Sequence, residues 1–494
     1  MRIKEIKIKN FRGFNKVHPI NLHDVGKNAV IYGENGSGKS SLFLALKYFL
    51  SAGRKQLSIR DEPNYNLFAD QADDIYIKLT LNNGNPPYEW TETNIPQSPE
   101  ILAGYKYSGF LEYRDILATH YLKPNETQVN LFELLVFTLL ADIENPATSP
   151  RITFQEHWKN LQEGIPTDNR YKTKINELES NIQKFNEGLN DILEQLQSEL
   201  TSIFEDFKYD RVTLKFDPVQ LVYDQSTKSI KEQKITLNIK FANQNLEGKH
   251  PDYLNEAKLS AIGISIYLAA LKLNPVQPGD LAILVLDDVL IGLDMSNRLP
   301  IIDIIDEHFI DKYQIFIMTY DLEWFETLCE HFVEPNKAKW KAFEFYCADD
   351  AELELPIFAE RGKGRDEYIK RAEEYYAAND YKAAAVYTRS AYEAILKFFC
   401  AKHSVPVPYV SKPKDLKADK LWDAVKSYIA THKKVINKRT GDKEDYLDSK
   451  TISHVEKANR RILNPLSHSR AVPTYRREVQ YAIAVVKKLY DRLQ

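Results

Sequence analysis

Hydrophobic positions along this chain of 494 residues fall into two kinds of pattern, which alternate in blocks. Near the start, Ile6 and Ile8 alternate with lysines, and residues 74–81 alternate in the same way. Both patterns predict strands with one buried face. Continuous apolar runs, which are typical of fully buried strands, lie at 28–32, 281–286 and 314–320. The first two thirds of the chain are therefore expected to contain sheets.

A long helical pattern interrupts these strands. Apolar residues are spaced three and four apart along one stripe, at Ile175, Leu178, Ile182, Phe185, Leu189, Ile192, Leu196, Leu200, Ile203 and Phe207. A helix of this length spans about 50 Å. It is either half of a short antiparallel arm or an amphipathic helix lying on a globular core. Because only 131–142 offers a clear short partner, we expect part of the stripe to be available to another chain.

These blocks predict an α/β head with a short helical-arm insertion, followed by an α-helical C-terminal domain. From residue 366 onward the pattern is almost wholly helical, and the preceding segment is acidic and then rich in Gly and Lys. The predicted boundaries are 1–130 for the N-terminal lobe, 131–207 for the arm, 208–346 for the C-terminal lobe, 347–365 for a linker and 366–494 for the helical domain.

A glycine-rich loop joins the strand at 28–32 to the following helical run. Residues 33–40 fit G-x-x-x-x-G-K-[ST] at every fixed position. Lys39 is expected to reach the β- and γ-phosphates of a nucleotide, and Ser40 to hold Mg²⁺. The predicted cofactors are ATP and Mg²⁺. The predicted nucleotide-binding residues of this region are Gly33, Glu34, Asn35, Gly36, Ser37, Gly38, Lys39, Ser40, Ser41 and Arg12.

Two adjacent acids end the apolar strand at 281–286. At the carboxyl end of such a strand, Asp287 is placed to support Mg²⁺. Asp288 follows where an acid that orients water is needed, and we predict Asp288 and Lys39 as catalytic residues. Alternatively, the two acids only mark the end of a strand at the protein surface. The presence of the loop motif at 33–40 in the same chain disfavours this interpretation.

Composition narrows the remaining classes of function. The net charge is −4, so no global basic field indicates nucleic acid, and DNA as a partner is not supported by charge. No apolar run reaches membrane-spanning length. The start of the chain lacks the apolar segment of a signal peptide. The three cysteines show no metal or redox spacing. We expect a cytoplasmic protein without a membrane partner.

The order of the motifs resembles the ABC-type ATPases of the SMC/RecF group. Besides the loop and the acid pair, residues 10–14 resemble the opening strand-turn, 254–260 the signature segment and 292–294 the D-loop. The resemblance covers about 1–325. It implies an ABC-type P-loop head whose ATP sites form between two copies of the chain. It also implies that the signature segment contacts nucleotide in trans through Asn255, Glu256 and Ala257. Asp294 of the D-loop is a further nucleotide contact that the resemblance implies.

The chain departs from that family at several positions. Asp288 stands where the family has a catalytic glutamate, and Asn255 where it has the signature serine. The switch histidine position falls on Tyr320, and no glutamine is evident near 110–113 at the expected Q-loop. These departures predict slow or tightly regulated ATP hydrolysis.

The short arm, the size and the helical tail most resemble the ATPases of bacterial anti-phage systems, and among these the AriA family of PARIS ATPase subunits. The resemblance implies a homo-oligomer that holds a separate TOPRIM nuclease until a phage-encoded protein triggers its release. No TOPRIM pattern of acids is visible in 330–494. The nuclease is therefore expected on another chain, and the whole protein is expected to be a sensor and scaffold.

Two alternatives stay open. The first is a RecF-like ATP-dependent protein that repairs or binds DNA. The second is a defence toxin, because Arg461 and His468 resemble the loose Arg/His pattern of HEPN ribonucleases. Pro465 disturbs a regular helix between them, so a structural or partner-binding role of the tail is preferred. The basic run at 432–439 is interpreted as a solvated loop.

Overall fold

The chain forms two compact units, Met1–Glu360 and Arg361–Gln494, in a computed structural model. The boundary lies inside the predicted linker. The structure describes residues 1–493 except 62–63, 67–68, 70–72, 123–125, 169, 347–356, 361–364, 409–417, 433–434, 437–442 and 464–475. None of the described helices is both long and apolar enough to cross a membrane.

The first unit mixes strands and helices, as the patterns predict. Its elements are β1 (Ile3–Phe11), β2 (Phe14–Asn21), β3 (Asn28–Gly33), α1 (Lys39–Lys55), β4 (Tyr76–Leu81), β5 (Tyr88–Trp90), α2 (Pro99–Tyr107), β6 (Gly109–Glu112), α3 (Tyr113–Leu117), α4 (Phe132–Leu134), α5 (Phe154–Glu163), α6 (Lys172–Glu205), β7 (Val212–Phe216), β8 (Val222–Asp224), β9 (Ser229–Lys231), β10 (Leu237–Phe241), β11 (Gln244–Asn245), α7 (His250–Tyr253), α8 (Glu256–Lys272), β12 (Ile283–Asp287), α9 (Met295–Arg298), α10 (Pro300–Ile304), β13 (Gln314–Thr319), α11 (Leu322–Leu328), β14 (Trp340–Tyr346) and β15 (Ile357–Glu360). Turns of π-helix lie at Leu135–Leu139, Ile305–Phe309 and Cys329–Val333.

A six-stranded sheet carries the candidate site. Its strand order is β15-β14-β3-β13-β12-β6, and only β15 runs antiparallel to its neighbour. Every residue of β12 and of β13 is buried, which explains why these strands read as continuous apolar runs. Because the neighbouring strands β3, β13, β12 and β6 are parallel, their carboxyl ends meet at one edge of the sheet. That edge receives the glycine loop and both acids.

A second, antiparallel sheet has the order β2-β1-β4-β5. The alternation near the start of the chain places Ile6 and Ile8 on its buried face. They share one hydrophobic core with Leu42, Leu46 and Phe49 of α1. The helix that follows the glycine loop is therefore packed between two sheets, which fixes the direction of its N-terminus.

The long helix α6 lies on the core of the head. It spans 34 residues, and every residue of the predicted stripe is at most 6% exposed. Helix α8 and strand β8 contact it, and the side-chain amides of Asn186, Asn190 and Gln197 hydrogen-bond to backbone carbonyls at 214–221. The expectation that part of the stripe is open to another chain is wrong, because the second lobe of the same head covers it. Periodicity defines an apolar face but not what covers that face.

The second unit is helical, in agreement with the predicted fold class of an α/β head followed by a helical region. Its elements are α12 (Arg365–Ala377), α13 (Tyr381–Lys402), α14 (Ala418–Thr431), β16 (Val435–Ile436), β17 (Lys443–Glu444), α15 (Ser449–Ala458), a π-helical turn (Asn459–Leu463) and α16 (Arg476–Arg492). Tyr392 and Trp422 lie in its own core. The unit can therefore bury apolar surface without using the head.

Candidate nucleotide site

The glycine loop has the backbone that phosphate binding needs. Gly38 is the N-cap of α1 with φ of 95°, a conformation that side chains rarely adopt. A Cβ on Gly33 would lie 2.2 Å from the Ser37 hydroxyl and 2.9 Å from the Phe345 carbonyl oxygen. A side chain is therefore disfavoured at both points, and the loop leads directly into a 17-residue helix whose N-terminus is suited to bind an anion.

Lys39 is enclosed at the centre of this loop. Its side chain is only 4% exposed, and its ammonium group donates to the carbonyl oxygens of Gly33 at 2.7 Å and Glu34 at 3.3 Å. A carboxylate oxygen of Asp288 lies 3.6 Å away. The loop lysine and the second acid, which are far apart in sequence, are thus brought together.

Asp287 ends β12 beside the loop and is 4% exposed. Burial raises the pKa of its carboxyl to about 6; the negative charges of Asp288 and Glu112 add to the shift, and Ser40 and Lys39 oppose it. One of its carboxylate oxygens is buried without a hydrogen-bond partner, as is the Ser37 hydroxyl. Unsatisfied oxygens of this kind are the ligands that Mg²⁺ takes, so these residues fit the expected cation.

Asp288 follows in the left-handed region of backbone space, with φ of 50°. Its carboxylate accepts from the backbone N–H of Tyr320 at 2.9 Å, and its own N–H donates to the Met318 carbonyl oxygen at 3.1 Å. Burial raises the pKa of this carboxyl, while the charge of Lys39 opposes the shift. The residue at the switch position therefore holds the acid through its backbone, whatever its side chain.

Glu112 is a site residue that the sequence reasoning missed. It ends β6, which pairs with β12 in parallel register, so that Glu112 lies directly opposite Asp287. Its backbone N–H donates to the Asp115 carboxylate at 3.0 Å, which fixes the turn into α3. The strand pairing therefore brings a third acid to the edge where a glutamine was sought. The only local signal was an acid directly after the apolar pair Phe110 and Leu111.

The signature segment begins α8. Asn255 is its N-cap and accepts from the backbone N–H of Lys258 at 3.2 Å. Glu256 accepts from the Tyr113 hydroxyl at 3.2 Å, whereas Ala257 is buried. Among the described residues, no hydrogen bond or ion pair joins Asn255 or Glu256 to the glycine loop of the same chain.

The D-loop and the opening turn occupy two further positions. Asp294 caps α9 by accepting from the backbone N–H of Asn297 at 3.1 Å. The backbone N–H of Arg12 donates to Asn64, and its guanidinium lies 5.8 Å from the centre of the Tyr48 ring. The Ser41 hydroxyl accepts from the N–H of Gly13 at 3.1 Å, so the turn after β1 is held against the first turn of α1. Glu34, Asn35 and Ser40 are exposed.

The tail residues proposed for ribonuclease chemistry are not brought together in the part of the chain that the structure describes. Arg461 is exposed and pairs with Glu478 at 3.2 Å. His468 and Pro465 lie outside the described residues, as do most residues of the basic run at 432–439.

Part of the chain also matches a known protein family. Residues 5–249 match the family model of the AAA domain. The matched range contains the glycine loop and Glu112, and it ends before the signature segment, Asp287 and Asp288. No curated protein gives a significant match to the chain.

Solved structures similar to the chain include RecF and SMC heads. A RecF structure with ATP is 16% identical, covers 73% of this chain and 98% of its own, and has a TM-score of 0.45. The Pyrococcus furiosus Smc head with an extended coiled coil, bound to the C-terminal domain of ScpA, is 15% identical over 76% of this chain and 99% of its own, with a TM-score of 0.38. The SMC head of Thermotoga maritima is 12% identical over 73% of this chain and 100% of its own, with a TM-score of 0.37.

Proposed function

We propose that this protein binds ATP with Mg²⁺, hydrolyses it slowly and uses the nucleotide to control assembly. The observation that carries the proposal is the convergence of Lys39, Asp287 and Asp288 at the carboxyl edge of the parallel sheet, beside the glycine loop. The AAA domain match over 5–249 supports the same assignment. Ser40 and Asp287 would hold Mg²⁺, which would supply positive charge against the negative charge that develops during hydrolysis.

Each residue has a role that follows from its contacts. Lys39 directs its ammonium group toward the phosphates, and Ser40 and Asp287 supply oxygens for the cation. Asp288 accepts a proton from, or orients, the attacking water. Because aspartate is one methylene shorter than glutamate, its carboxylate reaches less far toward that water. A longer hydrogen bond at this step makes hydrolysis slow.

The ATP sites are proposed to be completed by a second copy of the chain. Asn255, Glu256 and Asp294 are exposed and make no contact with the glycine loop of their own chain among the described hydrogen bonds and ion pairs. Large apolar side chains that are 39–52% exposed flank the D-loop and follow β13, at Ile291, Leu299, Tyr320 and Leu322. Exposed apolar groups next to a polar site are typical of association surfaces.

The biological role that we propose is that of a sensor and scaffold subunit in bacterial phage defence. It rests on the sequence resemblance to the AriA family, which implies a homo-oligomer, a separate TOPRIM nuclease and a phage-encoded trigger. Since α6 is covered within the head, we assign partner retention to the helical unit 361–494. Its core is closed by its own helices, so it can present a surface that is independent of the head.

Mixing two inactive variants tests the composite site. Lys39→Ala removes the phosphate contact, and Asn255→Trp blocks the signature segment. In a mixed dimer, one site combines both defects and the other is intact. We therefore expect each variant alone to be inactive, and the mixture to recover about a quarter of the wild-type rate, because half of random dimers are mixed and each holds one working site.

A mixture that stays inactive while both variants still dimerise with ATP would contradict sites shared between copies. Full activity of Asn255→Trp alone would remove the signature segment from the reaction. The defence role is tested separately, by co-purification of the chain with a TOPRIM nuclease encoded beside it. ATP-dependent binding to DNA ends without such a nuclease would instead favour the RecF-like role.

A further inference from the structure

A cavity of about 430 Å³ opens in the head beside the C-terminal half of α1. Its volume is in the range of small-molecule sites. The first residue of α1 that lines it is Lys47, eight residues and thus about 12 Å along the helix from Lys39. The cavity is therefore distinct from the phosphate loop, and nothing in the proposed ATPase reaction uses it.

The walls of this cavity suit a flat, partly apolar ligand. Four aromatic side chains line it, those of Tyr48, Tyr105, Phe110 and Tyr267. Its floor is aliphatic, from the buried side chains of Leu268 and Leu284. Aromatic side chains stack on the faces of planar rings, and nucleobases have such faces on both sides.

One buried polar atom lacks a partner at this cavity. Asn64 is 6% exposed and lines the cavity, and its side-chain carbonyl oxygen has no hydrogen bond within the described chain. A buried acceptor without a donor is unfavourable, because it has lost its hydrogen bonds to water and gained none in exchange. The orphaned oxygen therefore indicates a ligand that carries an N–H or O–H donor at this point, as the edge of a base does.

Positive charge surrounds the same space. Lys47, Lys55 and Lys106 line the cavity, and none of them has a carboxylate partner among the described ion pairs. Their ammonium groups instead lie 5.3–6.0 Å from the centres of the Phe43, Tyr105 and Tyr107 rings. Lysines of this kind are free to contact an anionic group such as a phosphate.

The three acids of the lining are already engaged. Asp142 forms an ion pair with Arg54. The Asp115 carboxylate accepts from the Glu112 N–H, and the Asp61 carboxylate accepts from the Ser58 N–H at 3.3 Å. Asp142 is neutralised by its ion pair, whereas Asp61 and Asp115 keep their negative charge, because a backbone N–H donates a hydrogen bond without adding charge. The three lysines still outnumber these two acids by one, which favours an anion over a cation.

We propose that this cavity binds a mononucleotide as a second, non-hydrolysed ligand. The base lies among the aromatic rings and donates to the Asn64 carbonyl oxygen, and the phosphate contacts the lysines. Binding itself does not depend on the proposed ATPase activity.

A ligand in this cavity contacts the elements that carry the nucleotide site. Phe110 and Leu111 of β6 lie immediately before Glu112, and Leu284 of β12 lies three residues before Asp287. The proposal therefore includes a regulatory role: filling the cavity with the monophosphate should change the rate of ATP hydrolysis, and an unchanged rate with the cavity filled would contradict that role.

Calorimetric titration of the full chain with each of the four ribonucleoside 5′-monophosphates, without Mg²⁺, tests the proposal. We expect at least one to bind at one site per chain. Asn64→Leu, which removes the acceptor, and Leu271→Trp, which fills the cavity, should each weaken binding by about tenfold or more. Tyr121→Ala, which removes an exposed tyrosine, and Lys39→Ala should leave the affinity unchanged.

Three results would overturn the inference. The first is the absence of binding at concentrations up to about 1 mM. The second is retention of binding in a folded Leu271→Trp variant. The third is loss of binding in Lys39→Ala, because that loss would place the ligand in the phosphate loop. If Leu271→Trp does not fold, Tyr105→Ala replaces it, with the same expected loss. Normal ATP turnover without monophosphate binding contradicts the cavity alone, whereas monophosphate binding without turnover contradicts the ATPase proposal alone.

Discussion

The ammonium group of Lys39 lies 3.6 Å from the carboxylate of Asp288, and the two residues are 249 positions apart in the chain. The lysine side chain is 4% exposed and that of the aspartate 17%. Their proximity joins the loop after β3 to the end of β12. It places a cation and an acid at one small volume of space, where charge that develops on phosphate and water can be stabilised.

Asp288→Asn should separate ATP binding from hydrolysis. The amide oxygen can still accept from the Tyr320 N–H, so the loop is expected to keep its geometry. Without the carboxylate, single-turnover hydrolysis should fall by about 100-fold or more. ATP affinity should change little. Asp24→Asn, which alters an exposed acid, is the matched control; equal rates in both variants would remove Asp288 from the reaction.

Glu112 should matter for the cation. It lies opposite Asp287 in the sheet, and its negative charge contributes to the shifted pKa of that carboxyl. Glu112→Ala should raise the Mg²⁺ concentration for half-maximal hydrolysis by about three- to tenfold, and Glu112→Gln by less, because the amide still offers an oxygen. Magnesium titrations of both variants, beside the exposed control Glu179→Gln, measure this. An unchanged magnesium dependence would leave Glu112 a structural residue.

His250 should make the head less stable in acid. Burial lowers its pKa to about 4, and the neighbouring charge of His120 adds to the shift. Since the unfolded chain protonates this ring near pH 6.5, its contribution to stability is complete above that pH and declines as the pH falls from 6.5 toward 4. The free energy of unfolding should therefore drop by about 2 kcal/mol from this residue between pH 7.5 and pH 5.

His250→Phe should remove that part of the pH dependence, and His23→Phe, at an exposed position, should not. Chemical denaturation of the three proteins at both pH values measures the difference. If His250→Phe and the wild type lose the same stability in acid, the buried ring is not the group that titrates.

The apolar stripe of α6 should behave as core. Leu189 and Leu196 are fully buried, so each substitution by Ala should lower the stability of the head by about 2–5 kcal/mol. Glu194→Ala on the exposed face should have little effect. Thermal melting of the three variants checks this. Unchanged melting together with lost assembly would mean that the stripe faces another chain after all.

The features that could be predicted from the sequence are those formed by residues that are neighbours in the chain. The loop at 33–40 is contiguous, and its conformation follows from its glycines: a Cβ on Gly33 would clash, and Gly38 has a φ of 95° that other residues rarely adopt. Asp287 was found because a fully buried parallel strand reads as an unbroken apolar run, and its first polar residue marks the edge of the sheet.

The features that could not be predicted from the sequence depend on contacts between segments that are far apart in the chain. Glu112 reaches the site through the parallel pairing of β6 with β12, which no local pattern encodes. Tyr320 holds Asp288 through a backbone N–H, a contribution that is independent of its side chain. The periodicity of α6 described an apolar face correctly, but the elements that cover it lie on both sides of the helix in the chain, with α5 before it and β7, β8 and α8 after it.

The loop around Lys39 is proposed to bind ATP for hydrolysis. The most direct test is to measure steady-state turnover of ATP with Mg²⁺ by the purified chain and by its Lys39→Ala variant. The wild type should hydrolyse ATP slowly, and the variant should lose at least about 100-fold in rate while its melting temperature shows that the head is folded. Lys4→Ala, which removes a surface lysine, should keep the wild-type rate. A folded Lys39→Ala variant that hydrolyses ATP at the wild-type rate would contradict the account.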